Sequence, residues 1–100
     1  MLLYSPLEVR IAVSYTNEEY GLIDGIITSY LISHSASTDV KVKYSTVREH
    51  LCKNILTKAD LERIKNALYF ALPIFESDRN MSKEIISAIA ATNVMIKGAA

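Results

Sequence analysis

The side chains best suited to covalent chemistry are His50 and Cys52, which stand two residues apart in "STVREHLCKN". A thiolate beside an imidazole base is an effective nucleophile. On a helix, however, residues two apart point about 200° away from each other, so this spacing does not form such a pair. The sequence has no glycine-rich phosphate loop, paired-cysteine motif or nucleophile elbow. We therefore expect no enzyme activity, no cofactor and no metal site.

Charge is divided unevenly along a chain that is neutral as a whole. Residues 1–39 carry one basic and five acidic side chains, a net charge of −4, whereas residues 40–65 carry seven basic and three acidic ones, a net charge of +4. Such a division is a feature of polyanion-binding faces. The two segments could instead pack together and neutralise each other. The pI near 6.7 also lies below the value of about 9 above which dedicated nucleic-acid domains often fall.

The basic segment begins with an alternating stretch, "DVKVKYS", over residues 39–45. This alternation predicts a strand with Val40, Val42 and Tyr44 inward and Lys41 and Lys43 outward. Capping-box spacings in "TVRE" and "TKAD" then predict a short helix and a longer helix that begin at residues 46 and 57. The order of strand, helix and helix resembles the ribbon-helix-helix DNA-binding proteins, in which a paired strand enters the major groove.

A helix-turn-helix, with "TKADLERIKNAL" as its recognition helix, is equally compatible with this order. Both hypotheses use basic side chains of the segment 40–65 to contact phosphates and bases. The candidate nucleic-acid-binding residues are Lys41, Lys43, Arg48, Lys58, Arg63 and Lys65.

Residues before the basic segment predict a strand followed by a long helix. "EVRIAVSYT", residues 8–16, alternates apolar and polar side chains, and Thr16 opens the capping box "TNEE". Small residues then recur every four positions at Gly21, Gly25, Ser29 and Ser33. Each glycine costs a helix roughly 0.5–1 kcal/mol relative to alanine. A stripe of small residues allows close approach of another backbone, either from the same subunit or from a second copy.

The sequence from residue 57 onward predicts two helices, and Pro73 ends or kinks the first of them. The second runs from Met81, with apolar side chains around much of its surface. Such a helix must be covered by its own domain or by a partner. Together with the small-residue stripe it gives the candidate self-association residues, which are Gly21, Gly25, Ser29, Ile85, Ile89, Val94 and Ile96.

These patterns predict one domain over residues 1–100, of the α+β class and mainly helical. The predicted order is β-α-β-α-α-α, with two short strands and a long first helix. No stretch has the length and hydropathy of a membrane span, and the N-terminus lacks the pattern of a signal peptide, so we expect a cytoplasmic protein. We expect a small non-enzymatic interaction protein that forms a homo-oligomer. The alternative is a dimeric nucleic-acid-binding transcriptional regulator that uses residues 40–65.

Overall fold

Helices account for most of residues 15–33 and 37–98, which are the residues that the computed structural model describes. They are α1 (Asn17–Ser33), α2 (Thr38–Lys53), α3 (Lys58–Ala71) and α4 (Arg79–Gly98), with a 3-10 turn (Leu72–Phe75) between α3 and α4. Within the described ranges there is no strand. The predicted α+β class is therefore wrong, and the described part of the chain is all-α.

The segment 39–45, predicted as a strand, forms the first half of α2. Ser37 caps this helix, and its hydroxyl accepts a hydrogen bond of 3.4 Å from the backbone N–H of Val40. The buried residues of α2 are Tyr44, Val47 and Leu51, whose spacings of three and four residues match one helical face. The alternation was ambiguous because Val40 and Tyr44 are also four apart, as on a helix.

Two further predictions, a helix start at Thr46 and a strand over residues 8–16, have different outcomes. Thr46 does not begin a helix but lies inside α2, where its hydroxyl donates to the carbonyl of Val42 at 2.9 Å. The predicted strand over residues 8–16 lies mainly outside the described residues, and its last two residues precede α1 without strand pairing.

Capping residues fix the starts of α1 and α3 as the sequence predicted. The backbone N–H of Thr16 donates to Glu19 Oε1 at 2.8 Å, and the backbone N–H of Glu19 donates to Thr16 Oγ1 at 3.1 Å. The same reciprocal pair joins Thr57 and Asp60 at the start of α3. These bonds satisfy backbone donors that have no partner within the helix. Pro73 also acts as predicted, since α3 ends at Ala71 and the chain continues as the 3-10 turn.

One hydrophobic core holds the described helices together, and α3 lies at its centre. It contacts α1, α2 and, most extensively, α4, whereas α2 does not contact α4. Ile27 of α1, Ile64 and Leu68 of α3, and Ile85 of α4 are completely buried. This arrangement leaves one side of α1 and one side of α2 facing solvent.

A buried polar contact joins Tyr15, two residues before α1, to the last helix. Tyr15 is 5% exposed, and its hydroxyl lies 2.7 Å from Thr92 Oγ1. Thr92 donates its own proton to the carbonyl of Ala88, so Tyr15 is the donor in this bond. Burial raises the pKa of Tyr15 to about 12. The contact therefore holds the start of α1 against α4, and the Tyr15 side chain that makes it is a neutral phenol.

None of the described helices combines the length and the hydropathy that crossing a membrane requires.

Candidate interaction surface

The small residues of α1 lie on its solvent-facing side, which we call the outer face and define as Gly21, Gly25 and Ser29. Apart from the adjacent residues and the backbone of the same helix, no atom of the described residues lies within 4 Å of a methyl group placed on either glycine. Neither glycine has a positive φ. The described part of the subunit therefore neither fills this face nor requires glycine for its backbone conformation. Ile32, seven residues after Gly25, extends the outer face and is 80% exposed.

An apolar groove of about 430 Å³ runs along one side of the outer face, between α1 and the end of α3. We call this side the apolar flank; it comprises Ile26, Tyr30, Phe70, Ile74 and Phe75. Phe70 packs edge-on against Tyr30, with ring centroids 5.2 Å apart. Because Pro73 ends α3, the following 3-10 turn carries Ile74 outward, where it is 62% exposed. The groove is therefore bordered by large apolar side chains that solvent can reach.

Charged side chains lie along the opposite side of α1. We call it the polar flank and define it by Asp24, Arg48, Glu49 and Lys53. Asp24 Oδ1 and Arg48 Nε are 2.8 Å apart and connect α1 with α2, and Lys53 donates to Glu49 at 3.0 Å. Asp24 precedes Ile26 by two residues, so the two side chains point about 200° apart around α1. The outer face thus separates an apolar flank from a charged one.

The predicted self-association residues of α4 occupy different environments. Ile85 and Ile89 are 0% and 7% exposed and belong to the core of the subunit. Their own domain covers them, so they form no part of an exposed surface. Val94 is 47% exposed, and Ile96 is partly buried against the core. Of the predicted set, the structure brings together on the surface only the residues of α1.

Sequence reasoning missed the apolar flank. Phe70 and Ile74 belong to "YFALPIF", which reads as a continuation of the α3 core. For Ile74 the available signal was Pro73, because a chain that leaves the helix at a proline no longer follows the helical spacing that would place Ile74 on the same face as Ala67 and Ala71. Where Ile74 then points depends on the position of α1.

The candidate nucleic-acid-binding residues do not converge on one face. Lys41 and Lys43 lie on α2, about 200° apart rather than on one side of a strand. Arg48 is paired with Asp24. On α3, Lys58 and Lys65 share a face, but Arg63 is two residues from Lys65 and points elsewhere. The geometry on which the ribbon-helix-helix resemblance depended is absent from the segment 39–45.

A buried carboxylate connects α2 with α3. The side chain of Asp60 is 2% exposed, and its Oδ2 lies 2.6 Å from His50 Nδ1. The same oxygen accepts the backbone N–H of Thr57 at 2.9 Å. Burial alone would raise the pKa of Asp60, but the hydrogen bonds from Thr57 and His50 outweigh this effect and hold the pKa below its ordinary value. Asp60 therefore stabilises the α2–α3 connection in its ionised form.

This lowered pKa predicts a loss of stability in acid. A carboxyl with a lower pKa in the folded than in the unfolded state stabilises fully above the unfolded value, near 3.8. That contribution disappears as the pH falls through the folded value. Asp60→Asn should cost about 1–3 kcal/mol at neutral pH and flatten the decrease below pH 4. Urea denaturation across pH 2–7 measures both effects. Glu49→Gln, which removes an exposed carboxylate, is the control, and an equal loss there would contradict a specific role for Asp60.

The remaining chemistry-bearing residues do not form a reactive cluster in the described part of the chain. Cys52 is exposed, whereas His50 is bound to Asp60. Across residues 15–33 and 37–98, no three His, Cys, Asp or Glu side chains are arranged to hold a metal ion. Comparison with known proteins found no matching family model, curated protein or solved structure.

Proposed function

We propose that this protein is a non-enzymatic interaction protein that self-associates through the outer face of α1. The observation that carries the proposal is the open space beside Gly21 and Gly25. Each glycine costs the helix about 0.5–1 kcal/mol relative to alanine, and no contact or backbone angle in the described subunit requires it. Close approach of a second helix would use both positions, because it needs a surface without side chains.

The apolar flank supports the same proposal. Phe70 and Ile74 are 45% and 62% exposed, and they border the outer face directly. Helices pack by fitting the ridges of one into the grooves of another. Here the small residues of the outer face form a low surface beside the apolar groove. A second helix on the outer face would remove these side chains from water, at a gain of roughly 25 cal/mol per Å² of apolar surface.

The charged groups around α1 also favour binding over catalysis. Asp24 and Arg48 form an ion pair between α1 and α2, and Asp60 and His50 form a hydrogen bond between α2 and α3. Both pairs connect helices and therefore have structural roles. The alternative, nucleic-acid binding by residues 40–65, lacks comparable support because its six basic side chains point in different directions.

Sedimentation equilibrium tests self-association directly. At micromolar concentration the protein should have an average mass approaching twice its monomer mass of 11.2 kDa. The mass should fall toward the monomer value on dilution, because association depends on protomer concentration. A constant monomer mass up to the highest accessible concentration would contradict the proposal.

A further inference from the structure

We infer that the partner is a second copy of this chain whose α1 packs antiparallel to α1 of the first, with the two-fold axis beside Gly25. This inference rests on the proposed self-association and specifies its geometry. The evidence is the difference between the apolar and polar flanks of α1, together with the placement of its acidic residues.

Two identical outer faces related by a two-fold axis can meet in only two ways. If the axis is perpendicular to α1, the helices run antiparallel, and each flank of one copy lies against the same flank of the other. If the axis is parallel to α1, the helices run parallel, and each flank lies against the opposite flank. Closed two-fold pairing is the commonest arrangement of homo-oligomers.

The antiparallel form matches the chemistry of the two flanks. It places Phe70 and Ile74 of both copies on the same side, where apolar surface covers apolar surface. It also places the Asp24–Arg48 pair of one copy opposite the same pair of the other, so that neutral ion pairs meet at a polar edge. The parallel form would cover Asp24 and Arg48 with apolar side chains, so that both charges would lose hydration and gain no new polar partner.

Charge along α1 favours the same orientation. Glu18 and Glu19 lie in the first turn of the helix, and its last turn has no basic residue. Parallel pairing would bring the first turns of two copies together and set four carboxylates near one another. Antiparallel pairing places them at opposite ends and also aligns the two helix dipoles favourably. Gly25 is the middle residue of the outer face, so an axis beside it sets Gly21 of one copy opposite Ser29 of the other.

Disulfide formation between introduced cysteines tests this geometry. All variants carry Cys52→Ser, since Cys52 is exposed and could react. Gly25→Cys, a position with open space around it, should form a covalent dimer on mild oxidation because each copy meets itself at the axis. Ser29→Cys should not, since four residues of helix rise about 6 Å and two Ser29 positions would be roughly 12 Å apart along α1. A disulfide requires Cα atoms within about 7 Å. Mixing Gly21→Cys with Ser29→Cys chains should form the mixed disulfide.

Each result distinguishes the geometry from the association itself. Linkage at Gly25→Cys and in the mixed sample, without linkage at Ser29→Cys, supports the antiparallel pair. Equal linkage at Gly25→Cys and Ser29→Cys shows parallel helices and overturns the inference while self-association stands. A dimer by sedimentation that links at neither position uses another surface and also overturns it. A monomer by sedimentation rejects the proposed function together with this inference.

Discussion

Gly25→Leu should weaken self-association strongly at micromolar concentration while the monomer stays folded. Nothing in the described subunit lies within 4 Å of a methyl group placed at this position, and leucine is a better helix former than glycine. The free energy of unfolding of the monomer should therefore stay constant or rise by up to about 1 kcal/mol. In the dimer, each leucine would separate the two helices at a cost of about 1–3 kcal/mol. Two such residues raise the dissociation constant at least roughly 30-fold.

Sedimentation equilibrium measures the loss of the dimer, and urea denaturation at low protein concentration measures the stability of the monomer. Asn66→Leu is the matched control, because it adds the same side chain at an exposed position of α3 and should leave the mass distribution unchanged. Gly25→Ala should weaken the dimer less than leucine does and stabilise the monomer by about 0.4–1 kcal/mol. A Gly25→Leu protein that dimerises like wild type would show that the outer face is not the interface.

Ile64→Ala should lower the free energy of unfolding by about 2–5 kcal/mol. Ile64 is 0% exposed and lies on α3, which contacts each of the other three described helices. Truncation removes buried methyl groups and leaves a cavity that close-packed neighbours cannot fill. Since small domains have total stabilities of roughly 5–15 kcal/mol, this one change removes a large part of the available stability.

The change is measured from urea denaturation at a concentration where wild type and variant are in the same association state. Glu62→Ala is the control on the same helix, because its side chain is exposed and surface substitutions usually change stability by about 0.5 kcal/mol or less. A loss below about 1 kcal/mol for Ile64→Ala would mean that α3 is not central to the core.

Local signals predicted the helix boundaries better than the fold class. The Thr16 and Thr57 capping boxes and the break at Pro73 are short-range features, and the structure confirms all three. The strand predicted over residues 39–45 is wrong because seven alternating residues fit a strand and a helix almost equally well. The helix forms because Tyr44, Val47 and Leu51 join the shared core, and contacts so distant in sequence are invisible to a local pattern.

The candidate surface was predictable only in part, for a related reason. The spacing of Gly21, Gly25 and Ser29 identified the outer face, because a four-residue repeat places residues on one side of a helix. The apolar flank depends on where the 3-10 turn lies relative to α1 across the groove, and no sequence periodicity records that placement. Ile85 and Ile89 have the same spacing as residues of an exposed helix face, but they are buried in the core of the subunit, and only the tertiary arrangement reveals this.

The position of α2 at the edge of the fold has a consequence for the motions of the native state. This helix contacts α1 and α3 but not α4, and it packs against the rest of the described fold less extensively than any of the other three helices. Proteins open in cooperative units, and the least buried unit opens at the lowest free energy. Amide protons of α2 should therefore exchange with solvent through partial opening, while α1, α3 and α4 remain associated. Because the polar flank lies between α1 and α2, each such opening would remodel that side of the proposed interface while the apolar side keeps its shape.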